Sequence, residues 1–184
     1  MIASHNSWSY LSPRRIWMYL VAPFSRCQSK SIDGQLALGV RMFDMRIKIL
    51  GSKVYLAHGL MEFEITPMLA DLVKIRDIEG CSIRILLENR NPDDDSVKIF
   101  QKTVASLKAQ YPTIQWFGGH GAHGSDWCRH YVCLLPSPSY AEDHASVSAR
   151  GLWRILPRIY AICSNKKIKG TSHDLPVMID FVEL

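Results

Sequence analysis

Short runs rich in β-branched residues alternate along this chain with stretches of helical period, and that alternation constrains the fold more than any other feature. Strand-like segments fall at Ile2–Ser4, Arg41–Ile49, Lys53–Ala57, Ser82–Glu88, Ile114–Phe117, Tyr131–Leu135 and Val177–Val182, with a further one read at Lys166–Lys169. Helical patterns lie between them. Ser31–Val40 has a Ser cap and places Ile32, Leu36 and Leu38 on one face, and Thr66–Ile75 repeats Met68, Leu69, Leu72 and Ile75. Pro92–Ala109 opens on Pro92 and the acids Asp93, Asp94 and Asp95, which favour a helix N-terminus; Ser146–Cys163 closes the series. Strand–helix–strand order of this kind builds parallel βα units. Ser82–Glu88 and Val177–Val182 are apolar runs with one acid near the C-terminal end, as in buried strands that present chemistry at their tips. The expected fold is therefore α/β, a compact or distorted (β/α)8 TIM barrel, whose active site is built at strand C-termini. A typical barrel has about 250 residues. With 184 residues, some helices must be short or missing. An open doubly wound sheet is the structural alternative, although the glycine fingerprint of dinucleotide binding is absent.

The chain shows no internal repeat and no linker, so residues 1–184 are expected to form one domain with a single large core. A net charge of +5 suits an anionic partner, whether a phosphate substrate, an acidic lipid surface or a nucleic acid, and nothing resembles a nucleic-acid-binding module. Cys27, Cys81, Cys128, Cys133 and Cys163 are odd in number and lack CxxC spacing, so they read as reduced core thiols. No basic segment precedes the first strand, and no apolar run reaches the roughly 18 residues of a membrane span. The expectation is a soluble monomer, cytoplasmic or peripheral to a membrane, with secretion left open.

Two histidines sit where strands should give way to loops, His5 in Ile2-Ala3-Ser4-His5-Asn6-Ser7 and His58 in Val54-Tyr55-Leu56-Ala57-His58-Gly59. Between them Met42-Phe43-Asp44-Met45-Arg46-Ile47 carries an acid and a base two positions apart, on one face of a strand. Two histidines can give and take protons near neutral pH, and the arginine can stabilise an anion. That set points to phosphoester chemistry. A lone histidine at a strand end is more often structural; the pair together with Asp44, Arg46 and Asp180 favours catalysis.

Ser4-His5-Asn6-Ser7, Cys27-Gln28-Ser29-Lys30-Ser31-Ile32, Gln35-Leu36, Gly39-Val40-Arg41-Met42-Phe43-Asp44-Met45-Arg46 and Tyr55-Leu56-Ala57-His58-Gly59 together resemble, in order and spacing, the X domain of phosphatidylinositol-specific phospholipase C. Leu86-Leu87-Glu88-Asn89 and Val177-Met178-Ile179-Asp180-Phe181 resemble its fourth and last barrel strands, and the likeness fades between about Asn91 and Asp174. The resemblance implies a barrel that cleaves a phospholipid substrate, with His5 as general base and His58 as general acid. Asp180 would orient His5, and Asp44 would cooperate with His58. Arg46 matches the metal-independent bacterial type, in which a guanidinium takes the place of a calcium ion, so no cofactor is expected. Asn6 and Glu88 match calcium-binding positions of the other type, which leaves calcium open, and Glu88 is equally suited to pair with Arg46. Asn6, Glu88 and Arg90 are the residues expected to touch substrate.

Other segments invite separate readings. Gly118–His130 with Cys133 offers histidines and cysteines for zinc, but at no familiar spacing, so a loop bordering the substrate mouth is the plainer reading. Residues 8–26 combine Trp8, Tyr10, Trp17, Tyr19 and Phe24 with Arg14 and Arg15, which suits peripheral membrane contact; the alternative is a helix packed on the barrel. Gln28 and Ser31 read as braces of the first helix, and Lys166, Lys167 and Lys169 as a solvated basic cluster. The functional alternatives are a glycerophosphodiester or lysophospholipid phosphodiesterase on a related barrel, and a catalytically idle lipid-phosphate-binding module.

Overall fold

One of the shortest strands of the sheet, β1 (Ile2–Ser4), lies beside its central strand and pairs in parallel with the strands that carry Asp44, Arg46 and Asp180. The computed structural model describes residues 1–120, 132–135 and 137–184. The other strands are β2 (Met42–Leu50), β3 (Lys53–His58), β4 (Met61–Phe63), β5 (Ser82–Leu87), β6 (Gln115–His120), β7 (Val132–Leu135), β8 (Ala141–Glu142) and β9 (Val177–Ile179). The helices are α1 (Met18–Ser25), α2 (Ile32–Ala37), α3 (Thr66–Arg76), α4 (Asp94–Gln110), α5 (Ala145–Ser148) and α6 (Pro157–Lys169), with a 3-10 turn at Gly151–Ile155. The sheet order is β7-β6-β5-β2-β1-β9-β8. All neighbours from β8 to β6 are parallel, and β7 is antiparallel to β6.

The sheet is strongly curled. Four strand spacings separate β5 from β8, roughly 19 Å if the sheet were flat. Yet the Arg84 guanidinium on β5 donates to Tyr140 Oη at 2.7 Å and pairs with Glu142 on β8. Side chains so far apart in the ladder meet only across the inside of a barrel wall. Among the described residues the wall stays open between β7 and β8, which fits a distorted barrel rather than a closed one.

The period of two along β2 and β5 sorts the core from the site. Phe43, Met45 and Ile47, with Ile83, Ile85 and Leu87, face outward and pack under Met68 and Leu72 of α3 and Phe100 and Val104 of α4. Asp44, Arg46 and Arg84 occupy the alternate positions and therefore face inward. Below this charged layer Ala3, Met42, Phe117 and Met178 form a small apolar plug.

Several expectations change in the structure. β3 is not a parallel barrel strand: the two-residue loop Gly51-Ser52, with Gly51 at φ +60°, closes a hairpin that returns β3 antiparallel along the far half of β2. The helix expected over Ser146–Cys163 is broken by Gly151 at φ +59° and restarts at Pro157, which fits a first helical turn. Lys166–Lys169, read as a strand, is the last turn of α6. Strands β4 and β8 were too short to leave a pattern, and Cys163 is exposed rather than in the core. Ser31 caps α2 as expected, accepting from Gly34 N–H at 3.4 Å.

Gly118 sits at an irregularity where β6 passes from β5 to β7, with φ +105°, and a Cβ there would stand 2.5 Å from the Ile85 carbonyl oxygen. Gly118→Ala should therefore force β6 off β5 and cost about 2 kcal/mol or more, combining left-handed strain with a backbone clash. A thermal melt checks this; an unchanged Tm would contradict the close approach.

Candidate active site

Each chemical side chain enters from the C-terminal end of a parallel strand or from the hairpin folded over it. His5 follows β1, Asp180 follows β9, Glu88 follows β5, Asp44 and Arg46 line β2, and His58 ends β3. Asn6 takes the left-handed conformation at φ +46°, uncommon outside glycine. This bend lets its N–H donate to Asp44 Oδ2 at 3.1 Å. Ser7 locks the same turn, its N–H reaching Asp44 O at 2.9 Å while its Oγ accepts from Asp44 N–H at 2.9 Å. Gln28 braces the tips of β1 and β9 rather than the first helix, donating to His5 O at 3.0 Å and Ile179 O at 3.1 Å.

The proton inventory of the two histidines follows from their partners. His5 Nδ1–H donates to Asp180 Oδ1 at 2.7 Å, which leaves the lone pair on Nε2. Arg46 Nη2 and Asn6 Nδ2 both donate to that nitrogen, each at 2.9 Å. Asn6 Nδ2 also donates to His58 Nδ1 at 2.9 Å, and the two rings stand 5.6 Å apart, centre to centre, at 82°. The Arg46 guanidinium bridges Asp44 at 3.1 Å and Glu88 at 3.3 Å. A narrow cleft lined by Asn6, Asp44, Arg46 and His58 opens beside them.

Burial, then the His144 ring and Arg46, hold His5 well below its ordinary value. Burial and Arg46 lower His58 to about 4, while Glu88 works in the other direction. Both rings are thus neutral in the ligand-free site at pH 7. Burial pushes Asp180 up to about 6. Burial alone would raise Asp44 as well, but Arg84 at 2.8 Å and Arg46 keep its carboxyl far below the usual range. Glu88 is likewise lowered, chiefly by Arg46 against burial.

Seven of the eight residues singled out in the sequence converge here: His5, Asn6, Asp44, Arg46, His58, Glu88 and Asp180. Arg90 is exposed beyond β5 and, among the described residues, is not joined to this network. Asp44 is held between two arginines, 3.8 Å from His5 Nε2, whereas the carboxylate in ion-pair range of His58 is Glu88, also at 3.8 Å. Sequence reasoning missed Arg84, Tyr140, Glu142 and His144. A charge in the middle of the apolar run Ile83-Arg84-Ile85 was the one legible signal. The histidine and cysteine positions 121–131 of the zinc reading lie outside the described residues, as do the side chains of His120 and Cys133.

His5, Cys27 and Asp180 place ligand atoms within 4.8 Å of one another. His5 and Asp180 are already hydrogen-bonded, closer than the roughly 3.3–3.8 Å between two ligands of one tetrahedral ion, and burial keeps the Cys27 thiol protonated. The trio suits an Asp–His dyad better than a metal centre. Asn6 and Glu88 suit calcium no better, because the Arg46 guanidinium lies between His5 and Glu88 and would face any cation at close range.

No protein-family model matches the chain. A stretch of 56 residues, 30% of the chain, is 36% identical to a PI-PLC X-box domain-containing protein of Dictyostelium discoideum, and it spans 8% of that relative's length. The phosphatidylinositol-specific phospholipase C from Listeria monocytogenes matches over 98% of this chain and 87% of its own, at 16% identity and a TM-score of 0.66. That of S. aureus matches over 98% and 85%, at 14% identity and a TM-score of 0.57. The fold is therefore the distorted α/β barrel of the bacterial phosphatidylinositol-specific phospholipases C.

Proposed function

We propose that this chain, a PI-PLC X-domain-like protein in its fold and in its matching stretch, is a metal-independent phosphodiesterase acting on a phosphoinositide-type lipid. His5 Nε2 takes the proton of the inositol 2-hydroxyl, whose oxygen bonds to phosphorus. The bond from phosphorus to the glycerol oxygen breaks, His58 supplies the proton to that oxygen, and a cyclic inositol phosphate and diacylglycerol result. Arg46 balances the charge that builds on the phosphoryl oxygens. His58 must carry a proton to act, and an anionic phosphodiester beside it, with Glu88, raises its affinity for one. The observation that carries the reading is the Asp180–His5 dyad, whose unprotonated nitrogen accepts from Arg46 while the second histidine ring stands 5.6 Å away.

An assay on a panel of phosphatidylinositol, glycerophosphodiester and lysophospholipid substrates, with and without chelator, tests it. Turnover of phosphatidylinositol unaffected by chelator is expected. Loss of activity with chelator would overturn the metal-free proposal, preference for a glycerophosphodiester would favour the related phosphodiesterase, and no turnover would leave a binding module.

The pH profile has a definite sign. Above pH 6 Asp180 is ionised and accepts the His5 Nδ1 proton; below it Asp180 takes a proton of its own and the dyad is lost. With substrate bound and His58 holding its proton, kcat at saturating substrate should therefore fall as pH drops through about 6. A rate still rising from pH 7 to pH 5 would contradict the dyad.

Substrate in a bilayer calls for contact with its surface. Trp8 is buried, donating to Asp71 at 3.1 Å, but Ile16 and Leu20 at the start of α1 are 88% and 78% exposed, and Trp17, Tyr19 and Phe24 are exposed beside Arg14 and Arg15. Ile16 and Leu20 thus present bare apolar surface beside half-exposed aromatics, which favours the membrane reading of residues 8–26. No described helix is long and apolar enough to cross a membrane. Ile16→Ser with Leu20→Ser should lower binding to anionic vesicles in a sedimentation assay while leaving hydrolysis of a soluble substrate intact. Unchanged binding would contradict this contact.

A further inference from the structure

We propose that His144 is a positioning residue for His5: its ring, stacked face to face on the His5 imidazole, holds the base against Asp180. This rests on the role given to His5 above. The two ring centres are 3.6 Å apart and the planes differ by 11°. His144 lies just past β8 and is buried, and its own orientation is fixed by a 2.7 Å hydrogen bond between Nδ1 and Ser146 Oγ.

The segment that carries it holds the dyad twice. The next residue, Ala145, donates its N–H to Asp180 Oδ2 at 3.0 Å, while Asp180 Oδ1 accepts from His5. Residues 144–145 thus grip the carboxylate by one oxygen and cover the flat face of the imidazole it orients. The other flank is tied back to the same base. Glu142 Oε2 stands 3.6 Å from His144 Nε2 and its other oxygen pairs with Arg84; Arg84 holds Asp44, Asp44 holds Arg46, and Arg46 donates to His5 Nε2. The path closes on His5 from both sides.

The stacked ring also bears on the charge state of the base. The charged or titratable groups facing His5 are Asp180 from β9, Asp44 and Arg46 from β2, His58 from β3, Cys27 after α1 and Arg84 from β5. After burial, the electrostatic influence of the His144 ring is the largest of those keeping His5 uncharged. A base that is neutral and cannot rotate is ready at the pH where its substrate arrives.

The test compares wild type with His144→Phe, which keeps an aromatic face, His144→Ala, which removes it, and Ser146→Ala, which frees the His144 ring from an exposed position. The first readout is the solvent exchange of the His5 Nδ1 proton by NMR, which needs no substrate and survives failure of the functional reading. That proton should be protected in wild type and in His144→Phe, exchange fast in His144→Ala, and lie between in Ser146→Ala. The second readout is kcat with KM, where His144→Ala should lose about 10- to 100-fold in kcat at little change in KM, and His144→Phe should recover most of it. Equal protection and equal kcat in wild type and His144→Ala would overturn the proposal. So would a His144→Phe variant as impaired as His144→Ala, since the stacked face would then not be what holds the ring.

Discussion

His5→Ala lowers kcat by about 10²–10⁴-fold with the fold intact, the loss expected when a placed general base is removed. The ring is buried and its hydrogen bonds run to Asp180, Arg46 and Asn6, so its loss touches the reacting centre directly. The fold survives because the β1 backbone is held independently. His5 N–H donates to Ile179 O at 3.0 Å, and Gln28 Nε2 donates to His5 O. His58→Ala should fall in the same range, and the double variant should lose little more than either single one, because acid and base act in one transition state. A variant of either histidine that keeps more than about a tenth of wild-type kcat sinks the role assignment.

Arg46→Ala should be nearly as damaging to turnover and far more damaging to the fold. A preorganised cation beside a developing phosphoryl charge is worth about 10²–10³-fold in kcat. Its removal also leaves Asp44 and Glu88 without their shared partner in a site where Arg46 and Glu88 are each 11% exposed and Asp44 is fully buried. Breaking a buried pair on one side costs about 3–5 kcal/mol, which a thermal melt reads as a drop of many degrees. Arg46→Lys separates the two effects. It keeps the charge and should recover much of the stability, but a point charge cannot reach Asp44, Glu88 and His5 Nε2 together, so kcat should stay low. An active Arg46→Lys enzyme would contradict the bridging role.

Most of the candidate site was legible because its residues sit at strand ends, and strand ends are where hydrophobic pattern gives way to polar residues. Asp180 and Glu88 are each the first polar side chain after an apolar run, His5 follows the short run Ile2-Ala3-Ser4, and Asp44 and Arg46 share a face by the simple period of a strand. The half of the site that escaped notice has no such signal. β8 is two residues long, too short for a period, so nothing in Tyr140-Ala141-Glu142-Asp143-His144 marks it as barrel wall. Only the curl of the sheet brings it across to Arg84, and only then does His144 meet His5. The hairpin of β3 was hidden for a related reason. Its residues read as a strand, but antiparallel pairing is decided by the Gly51-Ser52 turn rather than by the strand itself. The pairing of Asp44 with two arginines, rather than with His58, likewise depends on strand register, which sets Arg84 of β5 directly opposite Asp44 and which no local pattern predicts.

Phosphorus NMR of the products tests acid–base cleavage without a metal most directly. Phosphatidylinositol vesicles incubated with the protein and excess chelator at pH 7 should give a cyclic phosphodiester as the first phosphorus-containing product, and His5→Ala should give none. A phosphomonoester formed first, or cyclic product that disappears when chelator is added, would contradict it.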